Sequence, residues 1–267
     1  GFQVALSDGN ILRCASLVLA PGGKSIPKMG ATGWAYDTAR AFGLRVTDTR
    51  PALVPLTFEP GFLERWDGLA GVAVEAEVMH QLPKGPAPAG RARGQTRFRE
   101  GLLFTHRGLS GPSILQISSY WREGEAVTVD LMPGSPALDW LKRQKPSDGK
   151  RNVTTILSRA VPQRVADRIA QHQGLSGNLA DMSDKALGRL AEALNRWTVT
   201  PVGSEGYRTA EVTLGGIDTA ELDQSTLAAR RVPGLYVIGE AADVTGWLGG
   251  YNFQWAWSSG WAAGQVA

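Results

Sequence analysis

A chain of 267 residues is long enough to bury a substantial hydrophobic core and to hold one to three domains. Its 28 basic and 25 acidic residues give a net charge of only +3, which does not suggest a nucleic-acid-binding protein. The single cysteine, Cys14, excludes an internal disulfide, and no apolar run reaches the length of a transmembrane helix. We therefore expect a cytoplasmic protein with neither a nucleic acid nor a membrane as partner.

The glycine pattern lacks one common signature of nucleotide-binding proteins. A Rossmann-type domain usually begins with a strand followed by the motif G-x-G-x-x-G. Here, no two of the 33 glycines are separated by a single residue. The chain also starts at Gly1 rather than at a methionine, in a segment typical of a strand. These features lead us to expect the C-terminal portion of a longer protein.

The chain opens with a predicted hairpin and a buried strand. Asp8-Gly9 joins two short runs, residues 2–6 and 11–14, and such a pair is typical of a hairpin turn. The apolar residues 17–20 predict a strand that ends in a glycine-rich turn. The Gly-Lys-Ser of that turn is not a Walker A motif, since the motif requires a glycine where Val18 stands.

A helix and an extended connector are predicted next. The helix runs from a Thr32 cap to Gly43, a residue type that favours helix C-termini. Pro51 and Pro55 then restrict the backbone and predict a crossing between domains near residue 55.

Residues 56–133 predict a β-rich domain. Apolar and polar residues alternate over 72–77 and 126–131, as in half-buried strands, and a proline- and glycine-rich loop at 82–90 is predicted to be mobile. A group of arginines follows the loop; we interpret it as a solvated hairpin edge, with a phosphate or acidic-substrate site as the alternative. The group consists of Arg91, Arg93, Arg97 and Arg99.

One histidine lies in a motif-like setting, between Gly101 and Pro112. The imidazole of His106 would serve as an acid or base near neutral pH, although a structural hydrogen-bonding role is the favoured interpretation. Ser110 or Gly111 is predicted to cap a helix that begins at the proline. No cluster in the sequence has metal-ligand spacing, so no metal is expected.

Residues 134–201 predict a small helical subdomain inserted into the main domain. Residues 142–151 are interpreted as a solvated loop, and Trp197 begins the return to the main domain. The prediction of a helical subdomain rests on two amphipathic helix faces. They consist of Val153, Ile156, Leu157, Ala160 and Val161, and of Leu187, Leu190, Ala191 and Leu194.

The C-terminal segment combines a buried strand, a glycine-rich loop and a helix start. The apolar run 235–238 ends at Gly239, and ligands of parallel sheets bind beyond such strand ends. Glu240 would accept hydrogen bonds from ligand hydroxyls, and the free N–H groups of the next helix would face an electron-rich group. That helix is predicted to have a smooth face at Ala256, Gly260 and Gly264 beside a bulky face at Phe253, Trp257 and Trp261.

The run from Gly239 to Gly260 closely resembles the C-terminal flavin motif of the aminoacetone oxidase-like FAD-dependent oxidoreductases, also called YhiN-type or BaiN-like flavoproteins. In all, residues 16–56, 101–117 and 209–264 carry motifs that resemble those of the family. The family has a threonine where Pro21 stands here, which removes a hydroxyl and an N–H from that turn. The Ala210-Glu-Val-Thr-Leu-Gly-Gly216 segment lies towards the flavin in the family.

The resemblance implies an α/β fold in which a two-dinucleotide-binding-type (Rossmann-like) FAD domain, residues 1–55 and 202–267, is interrupted by a β-barrel-like domain at 56–133 and a helical subdomain at 134–201. It implies FAD as cofactor and hydride transfer to or from a small organic substrate, with NAD(P)H or O2 as partner of the flavin. Lys24 and His106 are the candidate catalytic residues. The implied cofactor-binding residues are Ala20, Gly22, Gly23, Lys24, Gly239, Glu240, Asp243, Gly249, Gly250, Tyr251, Asn252, Phe253 and Gln254.

Two other functional classes remain open at this point. A non-catalytic module would use the Trp-rich C-terminal helix to pack on a partner protein and would bind no flavin. A nucleic-acid-binding protein would use the basic residues at 91–99 and 142–151, and its affinity would fall steeply as salt rises.

Overall fold

The computed structural model describes residues 1–81 and 94–267. The predicted loop at 82–90, together with Arg91 and Arg93, lies outside the described residues. The strands are β1 (Phe2–Ala5), β2 (Ile11–Cys14), β3 (Leu17–Leu19), β4 (Arg50–Ala52), β5 (Leu56–Thr57), β6 (Ala73–Gln81), β7 (Gln95–Thr105), β8 (Gly108–Ser110), β9 (Val127–Asp130), β10 (Trp197–Val199), β11 (Gly203–Ser204), β12 (Val212–Leu214) and β13 (Leu235–Val237). The helices are α1 (Trp34–Ala41), α2 (Pro60–Arg65), α3 (Pro112–Ser118), α4 (Ala137–Asp148), α5 (Val153–Leu157), α6 (Gln163–His172), α7 (Asp184–Asn195) and α8 (Tyr251–Gly264).

The chain divides into two compact units. Unit 1 comprises Gly1–Leu53 and Gly206–Ala267, and unit 2 comprises Val54–Glu205. The result is a mixed α/β protein with one large antiparallel sheet and several helices.

Unit 1 is built around a pair of parallel strands. The predicted hairpin is confirmed, since β1 and β2 pair antiparallel from Phe2↔Cys14 to Ala5↔Ile11. Strands β3 and β13 pair in parallel, with Leu19 opposite Val237, although more than 200 residues separate them in the sequence. Strands β4 and β12 form a second, antiparallel pair. The predicted helix is also present as α1; Gly33 rather than Thr32 occupies its N-cap, and the Thr32 hydroxyl accepts the Trp34 N–H at 3.3 Å.

Helix α8 buries Ser259 and Ala263, and Trp255 and Ala262 pack against the core of unit 1. The predicted packing face is therefore wrong in its register, because Ala256 and Gly264 are exposed and only Gly260 of the three is half-buried, near the Ile238 side chain. The opposite face carries Phe253, Trp257 and Trp261, which are 77%, 76% and 71% exposed.

Unit 2 contains a seven-stranded sheet of order β10-β9-β6-β7-β8-β5-β11, in which every neighbouring pair is antiparallel. The edge strands β10 and β11 are joined by only residues 200–202. Seven strands in a flat sheet would span roughly 29 Å, whereas the four residue steps from Val199 to Gly203 reach at most about 14 Å. The sheet is therefore strongly curled and barrel-like.

The helices of unit 2 cover this sheet and share its core. Both predicted amphipathic faces are buried, apart from the half-buried Ala160, and they join the inner sheet residues in a single cluster that runs from Leu56 to Val199. The stretches predicted as a β-rich domain and a helical subdomain thus contribute to one core. Their division into two domains stays a prediction.

The prediction of a solvated loop at 142–151 is wrong, because helix α4 continues through Pro146 to Asp148. Long-range contacts hold this basic segment in helical form. Lys145 Nζ donates to the Met182 carbonyl at 2.6 Å, and the Asp148 carboxylate accepts from Arg151 and Arg159. These hydrogen bonds keep the pKa of Asp148 well below its ordinary value, with that to Arg159 contributing most.

The Asn195 side chain ties a helix, the sheet and a loop together at the end of α7. Its Oδ1 accepts the Ala137 N–H at the start of α4 (2.7 Å), and its Nδ2 donates to Asp130 Oδ1 (2.8 Å) and to the Ser135 carbonyl (3.1 Å). Three polar groups thus depend on one amide.

We expect Asn195→Ala to lower the free energy of unfolding by about 2 kcal/mol, because it leaves the Ala137 N–H without its acceptor and removes one of the two donors to Asp130 Oδ1, the other being the Met132 N–H. The measurement is urea unfolding followed by far-UV circular dichroism. Glu192→Ala on the same helix is the control; its 3.6 Å ion pair with Arg196 is exposed, so a change of less than about 0.5 kcal/mol is expected. Equal losses for the two variants would contradict this account of Asn195.

Candidate functional site

A cavity of about 500 Å³ opens in unit 1 beyond the carboxyl ends of the parallel strands β3 and β13. This is the position at which parallel sheets bind their ligands. The segments that line it come from both ends of the chain and from the start of α8. They contribute Ala20, Gly22, Ile26, Leu53, Glu211, Val212, Ile238, Gly239, Glu240, Val244, Trp247, Leu248, Gly249, Gly250, Asn252, Phe253, Trp255 and Ala256.

Eight of the thirteen residues predicted to bind a cofactor line this cavity. They are Ala20, Gly22, Gly239, Glu240, Gly249, Gly250, Asn252 and Phe253.

The glycines in and next to the cavity wall are needed for two different structural reasons. Gly22 and Gly250 have φ values of +76° and +88°, and a side chain at either would project into open space. Gly23 is constrained by its neighbours instead, since a Cβ there would lie 2.5 Å from Glu240 Oε1 and from Thr213 Oγ1. The first two keep room beside the backbone for a ligand, and the third allows two polar side chains to pack against the turn.

Thr213 connects the turn after β3 to the acidic residue after β13. Its buried hydroxyl accepts the Lys24 N–H at 2.8 Å and lies 3.2 Å from Ser25 Oγ. Its own N–H donates to Glu240 Oε1 at 2.6 Å. This bond engages Oε1 of Glu240, and among the described residues no hydrogen-bond donor to Oε2 is found.

The N-terminus of α8 borders the same cavity. The first bond of the helix runs from the Gln254 N–H to the Gly250 carbonyl, so the N–H groups of residues 251–253 precede the regular helical pattern. The Asn252 side chain is engaged in closing the loop, because it accepts the Gly246 N–H and donates to the Gly246 carbonyl. Its contribution to a ligand site would therefore come from its backbone.

Two apolar residues of the cavity wall have strained backbones. Ile26 and Leu53 have φ values of +54° and +48°, a region that bulky L-residues rarely adopt. The Ile26 N–H is held by the Tyr207 carbonyl at 2.8 Å, and the Leu53 carbonyl accepts the Glu211 N–H. Such strain is concentrated at binding sites, where the surrounding structure maintains it.

Lys24, a predicted catalytic and cofactor-binding residue, directs its ammonium group away from the cavity wall. Nζ donates to Thr49 Oγ1 at 2.9 Å and lies 5.6 Å and 5.8 Å from the ring centroids of Tyr36 and Tyr207. Burial, followed by the charge of Glu240, raises the pKa of Tyr36, and burial raises the pKa of Tyr207. Both phenols therefore stay protonated at neutral pH, and the ammonium is held by neutral groups.

The other predicted site residues are not among those that line the cavity. Asp243 accepts a hydrogen bond from the Thr47 hydroxyl at 2.8 Å, and Gln254 donates to Ser258 on the solvent side of α8. Tyr251 is 61% exposed, and Gly246 packs against its Cβ. His106 is exposed in the β7–β8 turn of unit 2. The proposed roles of these residues stay predictions.

Of the four arginines considered for a phosphate site, the two that the structure describes form ion pairs on the hairpin. Arg99 lies 2.9 Å from Glu75, and Arg97 lies 3.6 Å from Glu77 across the β6–β7 pair. Over residues 1–81 and 94–267 no group of three or more His, Cys, Asp or Glu residues could hold a metal ion. Among the helices of these same ranges, none is long and apolar enough to cross a membrane.

Several residues in or beside the cavity were not identified from the sequence. Ile26 and Leu53, which line it, look like ordinary apolar connector residues, and the buried Thr213 lies within a glycine-rich segment. The partners that define their positions are up to 189 residues away in the chain. Their placement therefore has no local sequence signal.

Comparison with known proteins places these features in a family. The model of the HI0933-like protein barrel and H2TH domain matches residues 50–212. The chain is 47% identical over 270 residues to the "Ribosomal RNA dihydrouridine synthase" of Escherichia coli (strain K12), covering 99% of this chain and 63% of that protein. It is 41% identical over 254 residues to the protein of the same name in Haemophilus influenzae, covering 94% of this chain and 59% of that protein.

A more distant relative has a different name. The "3-dehydro-bile acid delta(4,6)-reductase" of Clostridium scindens is 29% identical over 278 residues, covering all of this chain and 65% of that protein. The chain thus spans between 59% and 65% of the length of the curated relatives it matches. With more than half of its residues matched by the family model, the chain belongs to the HI0933-like protein family.

Proposed function

We propose that this chain is part of an FAD-dependent reductase that adds two hydrogens across a carbon–carbon double bond conjugated to a carbonyl. Two differently named relatives support this reaction class. Dihydrouridine is uridine with its C5–C6 double bond reduced, and a delta(4,6)-reductase by its name also reduces double bonds. A flavin carries out such chemistry by hydride transfer.

The unit 1 cavity is the observation that carries the proposal. It lies beyond two parallel strands, borders a helix N-terminus and is lined by glycines whose missing side chains leave open space. A flat, electron-rich ring with a hydroxylated tail matches this donor set, since backbone N–H groups and one carboxylate are available for hydrogen bonds. The residues present therefore fit a flavin.

The proposed roles follow from position. Glu240 Oε2 accepts hydrogen bonds from sugar or ribityl hydroxyls, while its Oε1 is fixed by Thr213. Gly22 and Gly250 allow the ligand to approach the backbone. The N-terminus of α8 favours negative charge on the nearby ring by roughly 0.3–1 kcal/mol at an exposed site, which supports the anionic reduced state. The apolar side chains of Ile26 and Leu53 limit access of water.

We further propose uracil bases of ribosomal RNA as the substrate and NAD(P)H as the source of the hydride. The mild net charge led to the expectation of no nucleic-acid partner, whereas two relatives are named for an RNA substrate. Net charge is a whole-chain average, and residues 134–201 alone contain 11 Lys and Arg against 6 Asp and Glu. This local excess of positive charge in unit 2 would attract a polyanion, even though the net charge of the whole chain is small.

The function is tested by incubating the chain with FAD, NADPH and a ribosomal RNA transcript that carries no modifications. Nucleosides from the digested RNA are then analysed by mass spectrometry. We expect a uridine product heavier by two hydrogens, formed only with the protein and NADPH together. The full-length Escherichia coli relative serves as the positive control. Product from the relative but none from this chain would contradict the proposal for these 267 residues.

We expect Glu240→Gln to weaken FAD binding by about 10- to 100-fold, because a neutral amide replaces the charged acceptor for ligand hydroxyls. The dissociation constant is measured by quenching of flavin fluorescence. Glu211→Gln is the matched control, since Glu211 also lines the cavity but is exposed and is not held by Thr213. Similar weakening in both variants would assign the effect to general charge rather than to Glu240.

We expect Gly22→Asn to weaken FAD binding by at least about tenfold, because the new side chain occupies space in the cavity. Gly43→Asn is the matched control, since both glycines have φ of +76° and open space beside them, and Gly43 is outside the cavity lining. Asparagine tolerates this backbone region, so both variants should fold. FAD binding to Gly22→Asn at unchanged affinity would exclude the flavin from this side of the cavity.

A further inference from the structure

A second cavity, of about 550 Å³, lies within unit 2 between α2, the ends of α6 and α7, and β10. We call it the aromatic cleft. Its lining residues include Phe58, Phe62, Arg65, Trp66, His172, Trp197 and Val202. None of the predicted site residues belongs to it.

Aromatic rings form much of the wall of the aromatic cleft. Phe58 and Phe62 stack with centroids 4.1 Å apart, and Phe62 is stacked on Trp197 at 6.1 Å. Trp66 lies 4.6 Å from Trp197 and 4.9 Å from the His172 ring. The phenylalanines are buried, whereas Trp66 and Trp197 are only partly buried. The two indoles therefore offer flat apolar surface at the cleft.

Polar groups at the rim suit a ligand that is both aromatic and anionic. The Arg65 guanidinium is 55% exposed, and its distance of 3.8 Å from Glu59 is long for an ion pair. The exposed His172 imidazole bonds through Nε2 to the Arg65 carbonyl at 2.9 Å. A guanidinium group near indole rings is a combination by which proteins hold a base together with its phosphate, and Arg65 lines the cleft with Trp66 and Trp197.

We infer that the aromatic cleft binds an unstacked base of single-stranded RNA, at a nucleotide other than the one that is reduced. This inference rests on the proposed RNA substrate and adds a second contact to it. Sequence-specific RNA recognition uses bases that leave the helical stack and settle on aromatic side chains. Trp66 and Trp197 supply the stacking surface, and Arg65 lies at the rim for the phosphate.

The cleft can be filled without disturbing the packed rings. Val202 lines it, is 59% exposed, and uses its backbone N–H in a bond to the Thr57 carbonyl that any residue except proline retains. Val202→Trp therefore adds an indole in the cleft and removes no buried contact. Val266→Trp is the control, because Val266 is 51% exposed and belongs to unit 1.

The test is binding of a short fluorescent single-stranded RNA of mixed sequence, followed by anisotropy at constant salt. Loss of one base-stacking contact should raise the dissociation constant of Val202→Trp by about 5- to 150-fold, whereas Val266→Trp should stay within about twofold of the unaltered chain. Unchanged affinity of Val202→Trp, or equal loss in both variants, overturns the inference. Absence of RNA binding by the unaltered chain overturns it as well.

A second pair of variants tests the phosphate contact at the rim. Arg65→Ala should weaken binding and reduce the salt dependence of the affinity by about one released counterion. Arg40→Ala is the matched control, because Arg40 also forms an exposed pair, at 2.9 Å from Asp37 in unit 1. An unchanged salt slope for Arg65→Ala contradicts the role of the arginine.

These measurements separate the inference from the proposed function. RNA binding needs neither flavin nor NADPH, so it reports on the cleft even if no reduction occurs. RNA binding that is sensitive to Val202→Trp, without any dihydrouridine product, would support the cleft and contradict the reductase. Formation of dihydrouridine, together with RNA binding that is insensitive to Val202→Trp, would support the reductase and contradict the cleft.

Discussion

The candidate site depends on the bond between the Thr213 N–H and the Glu240 carboxylate, 2.6 Å long. It joins the strand β12 to the turn after β13, and the Thr213 hydroxyl joins both to the backbone after β3. The two side chains pack so closely on Gly23 that no Cβ fits there. Three segments far apart in the sequence are thereby fixed around one cavity, and the second carboxylate oxygen remains available for a ligand.

The site could be predicted from the sequence where a residue type by itself limits the backbone. Gly22, Gly239 and Gly250 were implied as cofactor-binding residues by the family resemblance, and all three line the cavity. Their role in binding stays a prediction. Roles that depend on distant partners had no such signal. The carboxylate of Asp243 binds Thr47, 196 residues away, and the Lys24 ammonium lies between Tyr36 and Tyr207.

In the fold, too, features with a local sequence pattern could be predicted, whereas features that depend on distant partners could not. Local patterns predicted the first hairpin, the cap at Gly111 and the buried helix faces, and each is present. The helical state of 142–148 was not predicted, because Pro146 and a run of charges resemble a loop and the stabilising bonds come from Met182 and Arg159. The shared core of sheet and helices in unit 2 likewise depends on long-range packing, for example through Asn195.

The central claim is that the unit 1 cavity holds a flavin. The most direct measurement is the absorption spectrum of the purified chain after incubation with FAD and removal of free cofactor by gel filtration, with heat release to identify what is bound. The account predicts a flavin spectrum that elutes with the protein, and FAD in the released fraction. Protein that elutes without flavin absorbance after incubation with excess FAD would contradict it.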